Sequence, residues 1–216
     1  MAWPNITRCL LGISLIMLMG VHGLVGQSWT DAEAAAGVLP KAKEAGEAIS
    51  DFSAVSADGK RIRLSELLDK GPVVVVFYRG FWHEPCLAHL RVLQDSLNVL
   101  AGSGLQLIAI SPEQPESLVR TRQRTQTVFP LLSDTGGAIM DVFGVGYKVS
   151  TAYRQHVYAS TGVNIALNNG SEEAFLALAS TFVISHNQEV FWRQVSDDPA
   201  HRTGVGTILR AIRPRY

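Results

Sequence analysis

One cysteine, Cys86, stands directly after Pro85 and within a few residues of Arg79 and His83. That grouping suits a nucleophilic thiol, because the reactive form of cysteine is the thiolate and nearby cations and helix N-termini favour it. The run Val73 to Val76 reads as a strand buried on both faces, and Pro85 is a natural first-turn residue of a following helix. Cys86 is therefore expected in the first helical turn, among unpaired backbone N–H groups at the positive end of the helix dipole. Arg79 and His83 add to this field, and Glu84 opposes it. The same residue also suits a small buried hydrophobe, as many free cysteines do. His83-x-x-Cys86-x-x-His89 presents a second chemistry, a set of ligands for copper or zinc. On a helix, however, the outer histidines diverge, and only adjacent pairs readily share an ion.

The elements that must position Cys86 are legible on either side. Asp51 to Leu64 carries short apolar runs around Asp58-Gly59, a hairpin signal, and Ser65 to Asp69 reads as a short helix. Leu87, Leu90, Leu93, Leu97 and Leu100 recur at helical spacing, ending at Gly102 to Gly104. Leu105 to Ile110 reads as a second buried strand, Pro115 to Arg124 as a helix and Phe129 to Leu132 as an extended segment. Gly136 to Phe143 and Thr151 to Ser160 have helical character, and Asn168 to Ser171 is a polar loop. Thr181 to Val195 has a hairpin pattern, and Thr203 to Ile212 a closing helix. Strands alternating with helices describe an α/β fold with a mixed sheet. Asn169-Gly-Ser171 matches the short pattern of a glycosylation acceptor.

At 216 residues with 47% hydrophobic content, the chain suits one domain and an extension. Formal net charge is zero, and the dispersed Lys and Arg residues lack the basic footprint of a nucleic-acid binder. Arg8, the apolar stretch Leu10 to Met19, and then Gly20, Gly23 and Gly26 follow the order of a secretory signal, residues 1–26, with an uncleaved membrane anchor as the alternative. Export to a periplasmic or extracellular space is the expectation. Residues 27–45, Ala-rich and charged, read as a linker, and 46–216 as the folded domain. Removing the signal removes Cys9 and leaves Cys86 alone, so no disulfide can staple the mature domain.

The order of motifs resembles the thioredoxin-fold peroxiredoxins of the alkyl hydroperoxide reductase and thiol-specific antioxidant (AhpC/TSA) family. The resemblance is carried by Asp51-Phe52, Asp58-Gly59, Leu64-Ser65, Phe77-Tyr78-Arg79-Gly80 with Trp82, Ile110-Ser111-Pro112, Phe129-Pro130 through Asp134, Phe143-Gly144 and Thr181 to Ile184. It implies a thioredoxin-like fold, with a central mixed sheet flanked by helices and an N-terminal hairpin, and no cofactor. It implies a thiol-dependent peroxidase acting on hydrogen peroxide or organic hydroperoxides, with Cys86 as the peroxidatic nucleophile. Arg79 is then expected to stabilise thiolate or peroxide, His83 to donate a proton, and Tyr78 and Trp82 to contact substrate. Relatives of this branch carry a cysteine where this chain has His83, so the dithiol pair is lost and the single nucleophile kept. An external thiol or thioredoxin-like protein is then the expected reductant, and a second copy of the chain a candidate partner. The arginine that contacts the thiolate in typical members falls on or near Ala179. Asp198 and Arg202 match a C-terminal Asp and Arg of the branch, for which an ion pair is expected. Two other functions compete with the peroxidase: a non-catalytic redoxin-like interaction domain, supported by His83 and Ala179, and metal binding through His83, Cys86 and His89.

Overall fold

A computed structural model describes residues 29–212. The expected signal or anchor, residues 1–26, lies outside them. Among the described residues no helix is long and apolar enough to cross a membrane.

The chain begins with a single turn, α1 (Asp31–Ala34), closed by a reciprocal capping box between Thr30 and Glu33. Then β1 (Ser53–Ser56) and β2 (Arg61–Arg63) form the expected hairpin, with Gly59 at φ +75° in its turn, a conformation that a Cβ disfavours. After α2 (Leu64–Leu68) comes β3 (Val73–Phe77), buried throughout. The leucine-periodic stretch is divided into α3 (Glu84–Asp95) and α4 (Leu97–Gly102). The break falls at Ser96, whose ψ of 6° takes the chain out of the helix; serine competes for backbone hydrogen bonds and tolerates such junctions. β4 (Gln106–Ser111), α5 (Pro115–Thr125), β5 (Leu131–Ser133) and α6 (Ala138–Phe143) follow.

The stretch least legible from sequence holds β6 (Gly146–Lys148), α7 (Thr151–Thr161), α8 (Ile165–Asn168) and β7 (Phe175–Ala177). β6 and β7 pair as a separate two-stranded sheet. Asn169 of the glycosylation pattern is buried, and its side-chain amide donates to the Phe175 carbonyl at 2.7 Å. A glycan has no room there. The chain closes with β8 (Ala179–Ile184), β9 (Val190–Ser196) and α9 (Val205–Ile212).

The main sheet runs β2-β1-β5-β4-β3-β8-β9. β3, β4 and β5 are parallel, and the flanking pairs antiparallel. This is the mixed α/β sheet expected from the alternating pattern. Alternation along β3 sends Val73, Val75 and Phe77 into one core and Val74, Val76 and Tyr78 into the other, as the two-residue strand period requires. The first core centres on Phe77, Phe143 and Phe182, with ring centroids 4.9–6.1 Å apart and edge-on. Such pairs add about 0.5–1.5 kcal/mol each beyond area burial. The second core contains Cys86, Leu90 and Leu93 of α3. Strand β3 and helix α3 are thus held rigidly on both sides, and the loop between them is where the chemistry-bearing residues lie.

Candidate active site

Tyr78 makes the last ladder bond of β3, its N–H donating to the Ile110 carbonyl at 3.0 Å. The chain then turns at Gly80, with φ +151°. A Cβ at this position would lie 2.5 Å from Glu113 Oε1 and 2.7 Å from Trp82 Nε1, so only glycine fits. Glu113 holds the turn from below: its carboxylate accepts from the Phe81 N–H at 2.9 Å, from Asn168 Nδ2 at 2.9 Å and from the Ser111 hydroxyl at 3.2 Å. His83 is the N-cap of α3 and Pro85 lies in its first turn. Cys86 follows, as the local sequence pattern requires.

Three groups converge on Cys86 Sγ. The backbone N–H of Arg79 lies at 3.4 Å, His83 Nδ1 at 3.0 Å and Arg202 Nη2 at 2.9 Å. Arg202 is itself held in place, since Nη1 donates to the Phe77 carbonyl and Nε to the Pro199 carbonyl, both at 2.8 Å. A guanidinium aimed at sulfur is a charge-assisted donor, about twice as strong as a neutral one. Glu84, expected to oppose the thiolate, turns away from it: its carboxylate pairs with Arg91 at 3.0 Å and Arg124 at 2.7 Å. Those two arginines hold its pKa below the usual carboxylate range.

The sequence-based roles are rearranged in one respect that matters. The Arg79 guanidinium, expected at the thiolate or peroxide, is instead buried against Asp31, Tyr147 and Tyr153. Only its backbone N–H reaches Sγ. Arg202, expected to pair with Asp198, takes the place at sulfur. Asp198 makes no ion pair among the described residues, and its carboxylate accepts from the Ala200 N–H at 2.8 Å. Nothing in local periodicity signals Arg202, and the match to the branch's C-terminal arginine was the only hint. At Ala179, on or near which the resemblance places the arginine of typical members, the backbone N–H donates to Asp31 Oδ2 at 3.1 Å.

Tyr78 is buried under the sheet rather than at the surface. Burial, and then the nearby Glu113 charge, push its phenol well above its ordinary pKa. Contact with substrate is not open to it. Trp82 and His83 do line a cleft of about 200 Å³, together with Trp29, Tyr153, His156 and Pro199. Trp29, Tyr153 and His156 form one aromatic wall, with ring centroids 5.3–6.1 Å apart. Cys86 itself is fully buried, so His83 stands between the cleft and the sulfur. The His83 pKa lies well below its usual value because of burial first, and then the Arg79 and Arg202 charges. Its ring is therefore neutral at pH 7, and the proton it can offer is a single N–H rather than that of an imidazolium. His89 is not gathered with His83 and Cys86, since its Nε2 bonds the Thr203 carbonyl at 2.9 Å. Among the described residues no group of three His, Cys, Asp or Glu side chains is placed to hold a metal.

A buried thiol at a helix start beneath a mixed sheet, with three groups converging on its sulfur, is the arrangement of the thioredoxin-fold class. Residues 45–193 match the AhpC/TSA family, and the chain belongs to it. Peroxiredoxin Bcp of Escherichia coli is 29% identical over 102 residues, 47% of this chain and 65% of that protein. Chloroplastic peroxiredoxin Q of Populus jackii is 32% identical over 100 residues, 46% of each chain. The match therefore spans less than two thirds of these relatives. The crystal structure of peroxidoxin BcpB from Mycobacterium tuberculosis superposes with a TM-score of 0.63 at 21% identity, covering 80% of this chain and 98% of that one. That likeness bears on the fold.

Proposed function

We propose that this protein is a one-cysteine thiol peroxidase that reduces hydrogen peroxide or organic hydroperoxides at Cys86. The observation that carries the reading is the convergence of Arg202, His83 and the Arg79 N–H on a single sulfur. A structural thiol needs no such donors.

In the reaction the Cys86 thiolate attacks one peroxide oxygen, the O–O bond breaks, and the other oxygen leaves as water or an alcohol after taking up a proton. The sulfur is oxidised to a sulfenic acid and the peroxide is reduced. Arg202 and the Arg79 N–H are placed to hold charge on the reacting oxygens as it develops. His83, neutral and bonded to Sγ, swings toward the cleft to admit peroxide, and its N–H can then donate to the leaving oxygen. The aromatic wall of Trp29, Tyr153 and His156 suits the organic group of a hydroperoxide. No resolving cysteine lies among the described residues, so an external thiol or thioredoxin-like protein closes the cycle through a mixed disulfide. If residues 1–26 act as a signal or anchor, this chemistry takes place outside the cytoplasm.

The test is to treat the purified chain with one equivalent of hydrogen peroxide or cumene hydroperoxide and trap sulfenic acid with a dimedone probe, followed by peptide mass spectrometry. Labelling is expected on the Cys86 peptide, faster than on free cysteine, and absent in Cys86→Ser. Oxidation no faster than that of free cysteine would defeat the reading and leave a non-catalytic domain.

A further inference from the structure

Part of the segment read from sequence as a linker is built into the active site. Ala36 N–H donates to the Lys148 carbonyl and Ser150 N–H to the Ala34 carbonyl, both at 2.8 Å, which seats residues 34–36 beside β6 and the start of α7. Trp29 packs on Tyr153 and His156 and forms part of the cleft wall. Between them the Asp31 side chain is wholly buried. Its carboxylate pairs with the Arg79 guanidinium and accepts from the Tyr147 hydroxyl and the Ala179 N–H. Its backbone N–H donates to the Asp197 carbonyl.

Those bonds reach two of the three groups that touch the sulfur. Arg79 supplies its backbone N–H to Sγ from the same residue whose side chain Asp31 anchors. The segment beginning at Asp197 leads through Pro199, whose carbonyl orients Arg202, to Arg202 itself. We infer that Asp31 is a positioning residue for the reaction at Cys86: residues 29–36 clasp the Arg79 loop and the 197–202 segment so that both donors meet one sulfur. This rests on the peroxidase reading above and extends it to a residue that touches neither thiol nor peroxide. Misplacing a donor by about 1 Å can cost about a hundredfold in rate, so a loosened clasp is expected to act on chemistry before it acts on the fold.

The experiment uses the full chain and runs both reactions at one pH, because each needs the thiolate. Cys86 oxidation by hydrogen peroxide is compared with its alkylation by iodoacetamide, which does not need donors set for two oxygens. Asp31→Asn is expected to slow oxidation by about tenfold or more without slowing alkylation in parallel. General loosening would instead expose the sulfur and raise alkylation. Because Asp31→Asn leaves Arg79 buried without its partner charge and can unfold the chain, Asp31→Asn with Arg79→Gln removes both charges. This double variant is expected to keep the same oxidation defect. Parental oxidation rates in the folded single variant, recovery of the parental rate in the double variant, a rise in alkylation, or equal changes in both reactions would overturn the assignment alone. A parent chain inert to peroxide would overturn the peroxidase reading along with it.

Discussion

Arg202→Gln is expected to slow the oxidation of Cys86 by hydrogen peroxide about 10²–10³-fold, the loss typical when one donor is removed from a charge-stabilising site. The side chain that would be lost spans three acceptors, Sγ and the carbonyls of Phe77 and Pro199. Glutamine is shorter and uncharged, so it cannot bridge them. Arg202→Lys is expected to recover little, because a single ammonium cannot reproduce the guanidinium fork that serves all three. Stopped-flow oxidation under pseudo-first-order conditions reads the effect, with circular dichroism to establish that the variants are folded. A folded Arg202→Gln protein reacting within about threefold of the parent would remove Arg202 from the reaction and return attention to His83.

Glu113→Gln is expected to change the pH dependence of stability more than any surface substitution. Burial raises the Glu113 pKa from 4.5 to about 7, although the Asn168, Phe81 and Ser111 hydrogen bonds pull it down. A raised carboxyl pKa means that the folded state holds its proton where the unfolded chain has lost it. The contribution is thus fully present below pH 4.5 and is lost as pH rises through about 7. At roughly 1.4 kcal/mol per pKa unit the whole effect is about 3 kcal/mol. Glutamine keeps an acceptor for the Phe81 N–H and carries no titratable proton. Relative to the parent, Glu113→Gln should therefore gain about 3 kcal/mol on going from pH 4.5 to pH 8. His89 works in the opposite sense: burial lowers its pKa to about 4, so its contribution is lost as pH falls from 6.5 through that value. Asp134, raised by burial to about 6, has the same sign as Glu113. Both terms cancel in the difference between parent and variant. Urea unfolding at the two pH values supplies the measurement, and parallel stability curves would show that Glu113 does not titrate in this range.

The two substitutions probe the two ways in which the loop between β3 and α3 is held. Glu113 fixes the backbone of Gly80 and Phe81 from beneath, and Arg202 closes the site from the far end of the chain. Asp31 links Arg79 to the 197–202 segment.

Strand β3 and helix α3 were legible because their signals are local. A two-residue period with β-branched side chains specifies a strand, and a proline followed by leucines at helical spacing specifies a helix start. Those rules also put Cys86 in the first helical turn without reference to the rest of the molecule. They fail for the groups around its sulfur. Arg202 meets Cys86 across 116 positions of chain, and Asp31 meets Arg79 across 48. No periodicity spans such distances; packing of β8, β9 and the following segment against β3 decides that Arg202 arrives. The Ala-rich N-terminal stretch looked like a linker because its one buried charge carries no mark of burial in sequence. Asp31 is tolerated inside only because Arg79, Tyr147 and the Ala179 N–H await it there. Cys86 and its helix were therefore set by local sequence, and the groups that meet its sulfur by which distant segments the folded sheet brings together.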